Sequence, residues 1–149
     1  MKALILTAAA ALTLATVAPA GGHSDADPAV AARHAQMQLF SFNLAILGNM
    51  AQGKADYDAA AAQAAADNLA AVSGMDVSAY WAEGTAEGSR ALPAIWENLD
   101  DFMAKNAAVN TAAVAMAAVA GTDLESLQTA MGDLGGTCSA CHREYRARQ

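Results

Sequence analysis

The 149-residue chain is poor in cysteine, proline and aromatic residues: it has two cysteines, three prolines and 5% Phe, Trp and Tyr. Two cysteines are too few for a disulfide framework. The prolines stand at 19, 28 and 93, which leaves long stretches free of helix breakers. No run of alternating polar and β-branched residues reads as a strand. Positive charge is also scarce, with eight Lys and Arg against 15 Asp and Glu and a net charge of −7. That balance argues against nucleic acid, which needs a basic surface. Long apolar runs are missing after the N-terminus. The longest uncharged stretch, Asn106 to Thr122, is mostly alanine and contains Asn106, Asn110 and Thr111, so it does not read as a membrane span. The hydrophobic fraction of 55% is inflated by alanine, which favours helix.

What is present concentrates near the C-terminus. Cys138-Ser139-Ala140-Cys141-His142 reads C-x-x-C-H, the attachment signature of a c-type haem. Two thiols at this spacing can add to the two vinyl groups on one porphyrin edge. The adjacent histidine is then held under the iron as proximal ligand. Two other chemistries use the pattern. A C-x-x-C redox pair normally opens a helix after a strand, and no strand precedes it. A zinc site needs further ligands, and His23 and His34 are the only other histidines.

The N-terminus reads as a secretory signal over residues 1–20. Lys2 supplies the positive start, Ala3 to Val17 the apolar stretch, and Ala18-Pro19-Ala20 the small-residue cleavage site. An uncleaved membrane anchor is the alternative. Residues 21–149 then form one domain, and loss of Lys2 with the signal leaves a charge of −8.

Periodicity predicts four helices. Asp27-Pro28 reads as N-cap and first residue of a helix over Pro28 to Ala51, ended by Gln52-Gly53. Its stripe, Val30, Arg33, Met37, Phe40, Leu44, Leu47 and Ala51, alternates steps of three and four, as a bundle seam does. An alanine-rich second helix runs from Asp58 to Ser73, with Gly74 as its stop. A loop from Met75 to Ala91 holds Tyr80-Trp81, Gly84 and Gly88. The third helix starts at Leu92-Pro93 and continues to Ala120, with Leu92, Ile95, Leu99 and Phe102 as its seam. Val114 and Val119 extend it past a weak spot at Asn106 to Thr111. Thr122 caps the fourth helix and Glu125 completes a capping box. The last seam, Leu124, Leu127, Met131, Leu134, Cys138, Cys141 and Tyr145, puts the motif on the core face. Gly132, Gly135 and Gly136 each lower helix propensity by about 1 kcal/mol against alanine; they either make room for a flat ring or are simply tolerated. The result is an all-α, up-down-up-down antiparallel four-helix bundle with covalently bound haem.

Four residues stand out beside the motif. Arg33 lies within an apolar seam, and a buried guanidinium needs an anion or an exit to water. It either binds the haem propionates or snorkels out at the bundle end. Met37, one turn on, is either a sixth iron ligand or core filler; Met50, Met75, Met103, Met116 and Met131 are core or loop methionines by default. His34 could reach a propionate or the iron but sits off that seam. Arg146, four residues after His142 on the same helix face, either acts on the proximal side of the haem or is a solvated end residue with Arg143 and Arg148. There is no nucleophile elbow, phosphate loop or Glu-x-x-His pair, so no enzyme is expected.

With the motif near the C-terminus and followed by Tyr145-Arg146, with Arg33 and Met37 on helix one, Gly53 before Tyr57-Asp58, and Ile95-Trp96 with Phe102 on helix three, the chain resembles the cytochrome c prime family, the class II c-type cytochromes with their low-spin relatives. Where many members have Phe-Pro before the Gly-Thr of the long loop, this chain has Trp81-Ala82-Glu83 before Gly84-Thr85. The resemblance implies a left-handed four-helix bundle, often a homodimer, carrying one covalent haem c in the bacterial periplasm. It implies attachment at Cys138 and Cys141, His142 as proximal ligand, Arg33 near the propionates, Met37 on the distal side and Arg146 beside the proximal histidine. It further implies one-electron transfer with redox partner proteins, or else binding of nitric oxide or carbon monoxide at a five-coordinate haem. A purely structural haem is a third possibility.

Overall fold

The computed structural model describes residues 27–148. The signal over residues 1–20, with His23, lies outside them. Four long helices form the bundle: α1 (Pro28–Ala51), α2 (Ala59–Ser73), α4 (Leu99–Ala117) and α5 (Leu124–Tyr145). A single-turn α3 (Ala94–Glu97) precedes α4, and a 3-10 turn at Ser78–Trp81 interrupts the long loop. The helices neighbour one another in the order α1, α2, α4, α5 and back to α1, the closed square of an up-down-up-down bundle. None of the described helices is long and apolar enough to cross a membrane.

Capping explains where the helices begin. The Asp27 side chain accepts from Ala29 N at 2.7 Å, with Pro28 in the first turn. The Asp58 side chain accepts from Ala61 N at 3.0 Å. The fourth bundle helix departs from expectation: Asp123, not Thr122, is the N-cap, and it accepts from Ser126 N at 2.8 Å. Glu125 therefore falls one position short of closing a capping box. Gly53, at φ 68°, turns the chain out of α1 in a backbone region open to glycine.

The predicted third helix is broken, but not at its asparagine-rich stretch. The break is at Asn98, whose backbone (φ −135°, ψ 48°) leaves the helical region while its side chain donates to the Ala94 carbonyl at 3.2 Å. Asparagine competes with the helix for backbone partners in this way. The chain runs straight through Asn106 to Thr111, because Asn110 spends its amide on α2, donating to Ser73 Oγ at 3.0 Å and to the Ala70 carbonyl at 3.3 Å. α4 stops at Ala117, and a turn carries the chain past Gly121. A Cβ on Gly121 would lie 2.7 Å from Gln63 Oε1 and 3.3 Å from the Ala59 carbonyl, so a side chain there would have to push the Gln63 amide aside.

The buried side chains fall into two separate clusters. The larger holds Leu47, Leu69, Met116, Leu127 and Leu134, with Ala62, Ala65 and Ala66 of α2 letting the helices close up. The smaller, at the other end, holds Ile95, Phe102 and Tyr145. Leu99, expected in the seam of the third helix, is 42% exposed, and Val114, read as an apolar extension of that helix, is 53% exposed. Leu127→Ala should therefore cost about 2–5 kcal/mol, while Val114→Ala should shift stability by no more than about 0.5 kcal/mol. Urea unfolding midpoints of the two variants check the contrast.

Candidate haem site

α5 carries the motif on its inward face. Cys138 packs against the larger cluster and Cys141 against the smaller, so the two thiols bridge the divided core. Both are half-buried and unpaired. Burial raises both thiol pKa values; a hydrogen bond with Thr137 opposes this at Cys138, and the Lys105 charge opposes it at Cys141. His142 is half-buried beside them. Desolvation first, then the charges of Arg146 and Arg90, lower its pKa and hold the imidazole neutral, the form that ligates iron. Among the described residues no group of three or more His, Cys, Asp and Glu could hold a metal ion, so the zinc alternative finds no further ligands there.

A cavity of about 490 Å³, within the usual range for cofactor sites, opens beside Cys138, Ser139 and His142. Arg90, Arg143, Arg146 and Arg148 also line it. Arg146 thus stands near His142 as expected, but not on the same helix. α5 ends at Tyr145, and Arg146 is extended (φ −124°, ψ 127°), bridged antiparallel to Ala91. Leu92 N donates to the Tyr145 carbonyl at 3.0 Å and Ala147 N to the Arg90 carbonyl at 2.9 Å. This backbone pairing ends the helix and pins the long loop to the motif.

Arg33 is 4% exposed, so it does not snorkel to water. Nη1 donates to Thr85 Oγ1 at 3.1 Å, Nη2 donates to the Thr85 carbonyl, and the guanidinium lies 4.6 Å from the Trp81 ring centroid. Desolvation lowers its pKa, against the attraction of Asp27. Both ion pairs among the described residues belong to Lys105, so Arg33 is a buried cation with no carboxylate at salt-bridge distance. Two of its five N–H donors reach Thr85, which leaves others for an anion.

Met37 is 42% exposed and belongs to neither buried cluster. Its level follows from the α1–α5 register. The place of a Gly48 Cβ is 3.7 Å from Met131 Cε, and Gln128 donates to the Ala51 carbonyl at 2.9 Å. Eleven residues back from Gly48 along α1 is Met37; eleven on from Met131 along α5 is His142. At equal rise per residue the two stand level on antiparallel helices. Among the other methionines, Met50 and Met116 are buried and Met103 and Met131 half-buried, as core fillers would be, while Met75 is exposed. His34 is exposed. Apart from their chain neighbours and the helix's own backbone, no described atom lies within 4 Å of where a Cβ on Gly132, Gly135 or Gly136 would stand.

Sequence reasoning missed the aromatic and ionic frame behind the thiols. Trp81 meets Phe102 at 4.5 Å between centroids, and Phe102 meets Tyr145 at 5.3 Å, both edge-on. Trp96 Nε1 donates to the Trp81 carbonyl at 2.9 Å, and the Trp81 ring lies between Phe102 and the Arg33 guanidinium. Tyr145 Oη donates to Asp101 Oδ2, and Lys105 joins Asp101 at 2.8 Å to Glu144 at 3.0 Å. The i, i+4 spacing of Asp101 and Lys105 is the available sequence signal for this network. The hydrogen bond to Asp101 pushes the Tyr145 phenol up to about 12. In Asp101→Ala the phenol should titrate back toward its ordinary 10.0, which a tyrosine ring-carbon NMR titration reads directly.

Two half-buried free thiols, a neutral histidine and a buried guanidinium with no carboxylate partner among the described residues suit a covalently attached porphyrin with its iron and propionates. Comparison with known proteins points the same way. The family model for cytochrome c' matches residues 28–146. Cytochrome c-554 of Cereibacter sphaeroides is 43% identical over 147 residues, spanning 94% of this chain and 96% of its own. The solved cytochrome c' from Rhodobacter Spheriodes is 37% identical with a TM-score of 0.80, over 85% of this chain and 100% of that one. A nitric oxide complex of a mutant cytochrome c prime from Alcaligenes xylosoxidans is 34% identical with a TM-score of 0.72, over 81% and 94%. With the motif on the inner face of a four-helix bundle, the chain belongs to the cytochrome c' family and carries covalently bound haem c.

Proposed function

We propose that the protein is a periplasmic one-electron carrier. In this reading Cys138 and Cys141 would hold the haem by thioether bonds, and His142 and Met37 would be the two protein ligands of its iron. Arg33 turns its spare donors to the propionates, and Arg146 sets the charge beside His142. The bound haem supplies an iron centre that changes oxidation state by one electron. The chain keeps the proximal imidazole neutral, holds the loop over the site through the Arg90–Leu92 pairing, and buries the thiol edge in the core. Residues 1–20 would direct export and be removed. Leu39 and Phe42, 50% and 65% exposed on α1, offer an apolar strip to a second copy. The sequence shows no substrate-positioning constellation beyond the haem motif, which favours a carrier over an enzyme.

The observation that carries this reading is Met37. It stands level with His142, and its thioether is claimed by neither core cluster. A thioether free to swing toward the iron is what six-coordination requires. A second reading, capture of nitric oxide or carbon monoxide at a five-coordinate haem, draws on the nitric oxide complex of the Alcaligenes relative.

The visible spectrum separates them. The carrier should be low-spin when reduced and indifferent to carbon monoxide, and Met37→Ala should turn it high-spin and carbon monoxide-sensitive. A wild-type spectrum that is already high-spin and shifts with the gas would transfer the function to gas binding.

A further inference from the structure

We infer that the arginine-lined cavity at the motif end of α5 is the face through which the haem exchanges electrons, and that it receives an acidic surface of a protein redox partner. This rests on the electron-transfer reading above. The chain has 15 acidic and eight basic residues, yet four of its five arginines, Arg90, Arg143, Arg146 and Arg148, line this one cavity. All four are exposed. Among the described residues none lies within ion-pair distance of a carboxylate side chain, since both ion pairs there belong to Lys105.

Their gathering is a product of the fold. Arg90 comes from the long loop and the others from the end of the chain, and the Ala147 to Arg90 hydrogen bond at 2.9 Å joins the two segments. Uncompensated like charges repel, so the cluster gains nothing internally by standing together. Cys138 and His142 line the same cavity, so the cationic patch borders the point of haem attachment. The larger groove between α4 and α5, about 760 Å³, is instead lined by Asp123, Glu125 and Asp133 and would repel an acidic partner. Exposed charges act mainly on association rate and its salt dependence. The patch would therefore steer an anionic partner to the haem against the field of a chain whose net charge is −7.

The small anionic oxidant hexacyanoferrate(III) serves as the probe. One electron passes from the ferrous haem protein to it, leaving ferric protein and hexacyanoferrate(II), with no atom or proton transferred. With the holoprotein the bimolecular rate should fall as salt rises, by about tenfold from low to physiological ionic strength. Hexaammineruthenium(III), a cation, should lack this fall. The triple variant Arg90→Gln, Arg143→Gln, Arg148→Gln keeps Arg146 and the motif. It should react about tenfold more slowly with hexacyanoferrate(III) at low salt. The redox-inert hexacyanochromate(III) should broaden the NMR signals of Arg90, Arg143 and Arg148 in the wild type.

A hexacyanoferrate(III) rate that rises with salt means that net charge governs the encounter, and overturns the inference. So does a variant as fast as the wild type, or broadening confined elsewhere, while the electron-transfer reading stands. A holoprotein with no reversible voltammetric wave overturns that reading and this one together.

Discussion

A helix that bears C-x-x-C-H on its inward face must give part of that face to a cofactor instead of to its neighbours. This constraint shapes the rest of the bundle. Leu127 and Leu134 of α5 pack into a core of leucine, methionine and alanine, and Tyr145 packs into a separate aromatic one. Cys138 and Cys141 lie between these anchors and touch one cluster each. Side chains from both sides therefore stop short of meeting, and the helix ends are secured by other means: a cap at Asp123, and a backbone bridge from Arg146 to Ala91.

The same constraint accounts for a buried cation. Arg33 lies in the seam facing the divided core, where a charge without an anion is costly. Thr85 and the Trp81 ring hold it in place without neutralising it. Through Trp81 the guanidinium is linked edge-on to Phe102 and Tyr145, and so to the last turn of α5. The long loop thus connects α1 with the end of α5 through a continuous run of contacts.

Much of this was legible in the residues. The bounds of α1, the alanine-rich α2, the inward set of α5 and the haem motif all follow from spacing that repeats within one helix. The departures from expectation have specific causes. Asn106 to Thr111 has low intrinsic propensity, yet the helix runs through it as read, because α2 supplies hydrogen-bond partners that propensity does not register. Asn98 looks ordinary, and breaks the helix because its side chain turns back to Ala94. Met37 and Phe40 share a stripe, yet Phe40 packs against the core while Met37 is 42% exposed. Periodicity assigns a face, not the presence of a neighbour on it. Arg146 continues the helical spacing from His142, but pairing with Ala91 takes its backbone out of the helix.

By itself, then, the sequence determined the number of long helices, their amphipathic faces and the chemistry of attachment, because each is written in residues within a few turns of one another. Only the tertiary structure decided the partners of Arg33, 52 positions from Thr85, and of Tyr145, 44 from Asp101. It also decided that Arg90 joins three arginines from the far end of the chain. Contacts at such separations are set by how helices close around the core, and no local pattern encodes them.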